Sequence, residues 1–114
     1  MDEELDPNKN HVTFHLKVDG KPREFTGVGP TRAVDCVSAV WQQLQRTAKL
    51  KAADVSQIYS EWEPAEEDLK FLDETFPAEA ELAFTFARPA ARDWDRALSA
   101  AAKVIAQSDT KARR

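Results

Sequence analysis

Two glutamates, Glu61 and Glu63, lie two residues apart at the end of a predicted strand, and this spacing places both carboxylates on one strand face. Neighbouring carboxylates can do acid–base chemistry when their surroundings drive the two pKa values apart. The same spacing also fits a solvated strand end that leads into an acidic helix start. We favour the solvated strand end, because charged side chains are rarely buried unless they are paired.

The two histidines and the single cysteine are the other residues that could do chemistry. His11 and His15 share one face of a predicted strand, and Cys36 lies in a predicted helix. A catalytic zinc ion needs three protein ligands, so we favour a polar outer hairpin face for the histidines. Cys36 fits a small core residue better than a reactive thiol. Phosphate-loop, dinucleotide-binding and nucleophile-elbow motifs are absent from the sequence, which therefore predicts no catalytic residue, no metal and no cofactor.

The elements that must position these residues alternate between strands and helices. Predicted strands cover residues 11–18, 23–28, 55–62 and 80–87, and predicted helices cover about 31–48, 64–75 and 91–107. Asp19 and Gly20 indicate a tight turn between the first two strands. The order ββαβαβα predicts a three-layer α/β domain, in which helices lie on the faces of a mixed four-stranded sheet.

Length and composition suit one domain, since the chain has 114 residues, of which 42% are hydrophobic and 32% charged. We expect a disordered leader at 1–10, a single domain at 11–107 and a basic C-terminal tail at 108–114. No apolar run approaches the roughly 20 residues that span a bilayer, and no apolar segment follows the acidic N-terminus as in a secretory signal. One cysteine excludes an internal disulfide, so we expect a cytoplasmic location without membrane contact.

The junction of the third strand and the second helix, at about residues 58–72, is the most distinctive stretch. Pro64 suits the first helical position, and the acidic residues that follow it suit the positive end of the helix dipole. Trp62 fits a lid over the core edge, but if the chain is a binding domain we predict that Trp62 projects outward as the apolar centre of the binding surface. The predicted binding residues are Tyr59, Glu61, Trp62, Glu63, Glu66 and Glu67.

The element order and the run Ser60-Glu61-Trp62-Glu63-Pro64 resemble the cytidine-deaminase-like fold, and most of all the bacterial toxin deaminases. Phe76-Pro77 and the strand after it are similar to the continuation in those toxins. The resemblance implies an H-x-E helix and a later P-C-x-x-C helix start, whose histidine and cysteines hold zinc while the glutamate shuttles protons. Here 33–35 reads Ala-Val-Asp in place of H-x-E, and Ala65 and Asp68 replace the cysteines. The implied scaffold is therefore deaminase-like with its zinc-binding motifs missing.

Three classes of function are compatible with these features. The first is a non-catalytic protein-binding domain, for example an immunity protein or regulator of a bacterial toxin system, whose partner is a basic toxin. The second is a divergent deaminase-type enzyme that uses Glu61, Glu63 or Asp35. The third is a nucleic-acid-binding domain, which a formal net charge of -4 disfavours because such binding needs a basic face. We favour the first class, and the sequence leaves the oligomeric state open.

Overall fold

The computed structural model describes the backbone of residues 8–112 and the side chains of residues 8–104. Within this range it contains four strands, β1 Lys9–Val18, β2 Lys21–Pro30, β3 Val55–Trp62 and β4 Glu81–Phe86. The three α-helices are α1 Cys36–Thr47, α2 Glu66–Thr75 and α3 Trp94–Ala112, and short 3-10 turns at Ala52–Asp54 and Ala91–Asp93 precede β3 and α3. The element order confirms the predicted alternation of strands and helices.

The strands form one mixed sheet in the order β2-β1-β3-β4. β1 pairs antiparallel with both β2 and β3, whereas β3 and β4 are parallel. The β1–β2 hairpin turns through Asp19 and Gly20, which have positive φ angles of 54° and 79°. Glycine enters this region freely, and aspartate tolerates it better than most residues. Because parallel neighbours need a long crossover, α2 connects β3 to β4. The predicted α/β domain with a mixed four-stranded sheet is confirmed.

The ends of several elements differ from the predicted ones. β1 begins at Lys9, so the strand takes in Lys9 and Asn10, which the sequence places in the leader. Asn10 is only 3% exposed, because its side chain forms hydrogen bonds with residues of β3 and α1. α1 begins at Cys36, several residues after the predicted start, and α3 extends through Ala112. Residues 1–7 and 113–114 lie outside the described part of the chain.

The main core lies between one face of the sheet and the first two helices. Its buried residues come from β1, β3, α1, α2 and the segments next to them: Val12, Phe14, Leu16, Cys36, Val37, Val40, Trp41, Leu50, Val55, Ile58, Leu72 and Phe76. The Trp41 ring centroid lies 4.9 Å from those of Phe14 and Phe76. Tilted and edge-on aromatic pairs at this separation add stability beyond the area that they bury. The hydrophobic alternation of β1 correctly predicts the part of this core that β1 contributes, Val12, Phe14 and Leu16.

A second, smaller cluster covers the end of β3. It consists of the buried residues Trp62, Trp94, Leu98 and Ala101, and half-buried Phe86 packs against it. Ring centroids of Trp62 and Phe86 lie 4.9 Å apart, and those of Trp62 and Trp94 lie 5.3 Å apart. The side chain of Arg88 also lies over the Trp94 ring. These contacts dock α3 on the sheet.

All three helices lie against the same face of the sheet in the described contacts. Side chains alternate along β3, so Trp62 points to the same side as Ile58, and α3 therefore packs on the side of α1 and α2. The sequence predicts helices on both faces. The opposite face carries polar side chains, among them His11, Thr13 and Glu61. Such a polar face is typical of antiparallel strands with one side in water.

The alternation of Leu82, Phe84 and Phe86 predicts that Phe84 is buried in a central strand. The structure instead indicates that Phe84 contributes little to stability. β4 is an outer strand in the observed strand order, and Phe84 is 43% exposed. We expect Phe84→Ala to lower the free energy of unfolding by about 1 kcal/mol or less, and Phe14→Ala, at a fully buried position, to lower it by about 3–5 kcal/mol. Denaturant melts measure both changes. Equal losses would contradict the exposed position of Phe84.

Candidate functional site

Helices α1 and α2 begin close together, and Asp68 joins them. Asp68 lies in the first turn of α2 and is 1% exposed. Its carboxylate accepts hydrogen bonds from the backbone N–H groups of Val37, at 2.7 Å, and Ser38, at 3.2 Å. These groups lie in the first turn of α1, where N–H groups lack an acceptor within the helix. Asp68 therefore caps α1 from a different helix, whereas Asp35 makes no capping hydrogen bond through its side chain.

Burial dominates the titration of the two acidic groups at this junction. It raises the pKa of the Asp68 carboxyl, although the N–H donors of Val37 and Ser38 act in the opposite direction. Burial also raises the pKa of the Cys36 thiol, and the nearby carboxylates of Asp68 and Asp35 add to that increase. A thiol that stays protonated at neutral pH is a poor nucleophile and a poor metal ligand. Cys36 therefore behaves as the core residue that the sequence predicts.

A buried amide extends this junction to the ends of β1 and β3. Asn10 Nδ2 donates a hydrogen bond to Ser60 Oγ at 2.9 Å and lies 3.4 Å from Cys36 Sγ. Asn10 Oδ1 accepts one from the backbone N–H of Trp62 at 3.0 Å. Ser60 Oγ in turn donates to the carbonyl of Trp62 at 2.6 Å. Among the described residues no buried side-chain polar atom lacks a hydrogen-bond partner. This network therefore has a structural role, in which it holds β1, β3 and α1 together.

Trp62 does not project outward as predicted. Its side chain is 3% exposed, because its place in the alternation of β3 turns the indole towards α3. The alternative prediction, a lid over the core edge, agrees with this position. Trp62 is therefore a core residue in the described structure and is not the exposed apolar centre of a binding surface.

The two predicted carboxylates near Trp62 have separate partners. Glu61 accepts a hydrogen bond from the backbone N–H of His11 at 3.0 Å and lies 2.7 Å from its Nδ1. Glu63 accepts a hydrogen bond from the backbone N–H of Arg88 at 3.1 Å. Each carboxylate thus fastens a different segment of the chain. The geometry gives no support to an acid–base pair.

The three remaining predicted site residues lie in two different settings. Tyr59 is half-buried, and its hydroxyl forms a hydrogen bond with the hydroxyl of Thr85 on the neighbouring strand. Glu66 and Glu67 are exposed in the first turn of α2. Of the six predicted binding residues, only Glu66 and Glu67 are fully available to a partner.

The exposed acidic region is larger than the site that the sequence predicts. Residues 61–81 contain nine carboxylates and one basic residue, Lys70, although the whole chain has a formal net charge of only -4. We define the acidic surface by its six exposed carboxylates on α2 and before and at the start of β4: Glu66, Glu67, Asp73, Glu74, Glu79 and Glu81. A charge count along this segment of the sequence would have found it.

An apolar groove lies between α2 and β4, next to the acidic surface. Its volume is about 190 Å³, and its lining includes Ile58, Leu69, Leu72, Asp73, Phe76 and Leu82. Leu69 and Leu82 are 39% and 37% exposed, and Phe84 is exposed farther along the same face of β4. The helical spacing of Leu69 with Leu72 and Phe76 predicts a core position for all three. Sequence reasoning therefore missed the exposure of Leu69.

Comparisons with known proteins add no relative: no protein-family model, curated protein or solved structure matches the chain. In the range 8–112, no helix has both the length and the apolar character needed to cross a bilayer.

The residues at the junction of α1 and α2 do not fit a catalytic zinc ion. Both oxygens of Asp68 already accept N–H groups, and Ala65 offers no ligand atom. In the described part of the chain no group of three or more His, Cys, Asp or Glu side chains is placed to hold a metal. We expect protein refolded with zinc and then dialysed to retain no stoichiometric zinc in elemental analysis. One tightly bound zinc per chain would contradict this expectation.

The raised pKa of Asp68 predicts how stability depends on pH. The folded protein holds the Asp68 proton more tightly than the unfolded chain does. The contribution of Asp68 to the free energy of unfolding therefore falls as pH rises from the ordinary aspartate pKa of 3.8 through the raised pKa of the folded state. Asp68→Asn removes this titration. The wild type should therefore lose stability relative to Asp68→Asn as pH rises through this window.

Denaturant melts at a series of pH values from about 4 to about 7 measure this difference. Asp73→Asn is the matched control, because Asp73 lies on the same helix and is exposed. The free energy of unfolding of Asp73→Asn should change with pH in the same way as that of the wild type. A wild type that gains stability relative to Asp68→Asn as pH rises would contradict the raised pKa.

Proposed function

We propose that this chain is a non-catalytic protein-binding domain whose acidic surface contacts a basic protein partner. The observation that carries the proposal is that the acidic surface borders an apolar groove with exposed leucines. Apolar area surrounded by charged residues is the usual anatomy of a protein interface. Opposite charges on the two partners speed association, and salt screens this effect.

The proposed contact residues differ from those that the sequence predicts. Glu66 and Glu67 remain, because they are exposed on α2. Leu69 and Leu82 replace Trp62 as the apolar centre, since they line the groove and are partly exposed. Tyr59, Glu61 and Glu63 hold strands and segments together and stand outside the proposed contact.

We infer further that the scaffold is deaminase-like and lacks the zinc site. Three features support this inference: the β1–β2 hairpin precedes α1, β3 enters α2 through Pro64, and the starts of α1 and α2 meet at Asp68. Such a scaffold fits the role of an immunity protein or regulator that acts in the cytoplasm of a bacterium with a toxin system. A basic toxin is the partner that the acidic surface fits best.

A pull-down from the native host with three baits tests the proposal. The first bait is the wild type, and the second is Glu66→Lys/Glu67→Lys. The third, Glu24→Lys/Asp54→Lys, makes the same change in net charge at exposed residues outside the acidic surface. Circular dichroism should show that all three are folded. In the first turn of α2, loss of a carboxylate costs about 0.3–1 kcal/mol and a cation in its place costs a similar amount. Exposed substitutions elsewhere usually change stability by about 0.5 kcal/mol or less.

We expect the wild type and the Glu24→Lys/Asp54→Lys control to retain one protein in stoichiometric amount, and the Glu66→Lys/Glu67→Lys bait to lose it. Nucleic acid retained by the wild type would support a nucleic-acid-binding domain instead. A protein that all three baits retain equally would contradict the acidic surface as the contact.

A further inference from the structure

The outer edge of β4 runs beside the apolar groove. β4 pairs with β3 on one side and is the last strand of the described sheet. The backbone N–H of Glu63 donates to the carbonyl of Phe86 at 2.8 Å, so the backbone groups of Phe86 point towards β3. Backbone groups alternate in direction along a strand, and those of Ala83 and Thr85 therefore point away from β3.

The two outer strands of the sheet differ in how well they are protected against pairing. β2 contains Lys21, Pro22 and Arg23 at one end and Pro30 at the other, and both proline and exposed charge discourage pairing at an edge. β4 reads Glu-Leu-Ala-Phe-Thr-Phe, with no proline, no glycine and one charge at its start. Its pairing with β3 follows a single register. Among the described residues, the edge of β4 is therefore open to another strand.

We propose that an extended basic segment of the partner protein adds to the free edge of β4 as a fifth strand. The proposal rests on the proposed function and specifies how the partner binds. Backbone hydrogen bonds to Ala83 and Thr85 supply affinity, and alternate apolar side chains of the segment contact Leu82 and Phe84. Such strand addition uses the free backbone groups and the exposed apolar side chains together.

The charges around β4 select a basic segment. Glu79 is exposed just before the strand and Glu81 is exposed at its first residue. Lysine or arginine side chains that alternate with the apolar ones would project to the opposite face of the sheet, which is the face of Glu81. A second copy of this chain would instead bring two acidic surfaces together, and like charges at an interface oppose association.

A defined peptide tests the strand addition on the full chain. The probe is a fluorescein-labelled ten-residue peptide of alternating lysine and valine, and fluorescence anisotropy measures its Kd. Ala83→Pro removes an N–H that points outward and leaves the hydrogen bonds to β3 in place, whereas Ala83→Ser keeps that N–H. We expect Ala83→Pro to weaken binding by about tenfold or more and Ala83→Ser to leave it unchanged.

Peptides with N-methyl groups give a test that does not depend on the folding of a variant. A strand added at one edge uses the N–H groups of alternate residues only. Methylation of one alternate set should abolish binding, and methylation of the other set should preserve it. Equal binding by both methylated peptides would overturn the strand addition.

Other outcomes separate this inference from the proposed function. If the peptide does not bind, or if Ala83→Pro binds it as tightly as Ala83→Ser, strand addition is wrong. The pull-down with Glu66→Lys/Glu67→Lys would still decide whether the acidic surface binds a protein. A wild-type dimer that Ala83→Pro converts to a monomer would identify a second copy as the occupant and would also overturn the proposal.

Discussion

Trp62→Ala is expected to lower the free energy of unfolding by about 3–5 kcal/mol. The indole is buried where β3 meets α3, with its ring centroid 4.9 Å from that of Phe86 and 5.3 Å from that of Trp94. Truncation to alanine removes these contacts and leaves a cavity that the neighbouring side chains fill only in part. Loss of the two aromatic pairs adds to the cost.

Denaturant melts of Trp62→Ala, Trp62→Phe and the wild type measure this effect. Trp62→Phe should recover part of the loss, because a smaller ring still fills some of the cavity. The decrease for Trp62→Ala should exceed that for Phe84→Ala, at the exposed aromatic position on β4. A Trp62→Ala variant as stable as the wild type would mean that Trp62 is exposed and would restore it as a candidate interface residue.

Asn10→Ala is expected to lower the free energy of unfolding by about 2–4 kcal/mol. The substitution removes the acceptor for the backbone N–H of Trp62 and the donor to Ser60 Oγ, and both of these groups are buried. The backbone N–H of Trp62 is then buried without a partner and carries its full desolvation cost, whereas Ser60 Oγ keeps its hydrogen bond to the carbonyl of Trp62. Asn10→Leu should be almost as damaging, because a side chain of similar size cannot pair these groups.

Thr13→Ala is the control for Asn10. Thr13 lies on the same strand, and its hydroxyl forms an exposed hydrogen bond with Thr26. Its removal should cost about 0.5–1.5 kcal/mol at most. If melts give Asn10→Ala and Asn10→Leu losses no larger than that of Thr13→Ala, the buried network does not stabilise the fold.

Local sequence patterns predict those elements that can be recognised from their own residues alone. Val12, Phe14 and Leu16 alternate with polar residues, and this period is enough to identify β1 and its buried face. Asp19-Gly20 identifies the hairpin turn for a purely local reason, the positive φ angles. Both of these predictions are confirmed.

Positions that depend on distant partners were predicted less well. Asn10 is a polar residue in a polar stretch, which is typical of a disordered leader. Its burial is favourable because its side chain forms hydrogen bonds with residues 26 to 52 positions away. Trp62 lies on the buried face of β3 with Ile58 and Ser60. Because Ser60 is polar, the sequence of β3 does not show an unbroken apolar alternation that would identify this face. Phe84 is exposed because β4 is an outer strand, and the order of strands is not contained in the sequence of one strand.

In the candidate site, too, some features follow from the local sequence and others depend on distant contacts. Acidic residues in the first turn of α2 follow from the helix dipole, and Glu66 and Glu67 are exposed as that argument expects. Asp68 belongs to the same run but turns inward to cap α1. That role depends on the packing of two helices, so no local rule distinguishes Asp68 from its neighbours.

A photo-crosslinking amino acid introduced at Leu69 in the native host tests the proposed binding surface most directly. Leu69 lies on α2 beside the acidic surface and is 39% exposed, and Val28 on β2, at 45% exposed, is a matched position at the opposite edge of the sheet. We expect irradiation to link position 69 to one host protein with a basic segment and to give no such product at position 28. Crosslinks from position 28 alone, or from position 69 to nucleic acid but to no protein, would contradict a protein-binding domain that acts through this surface.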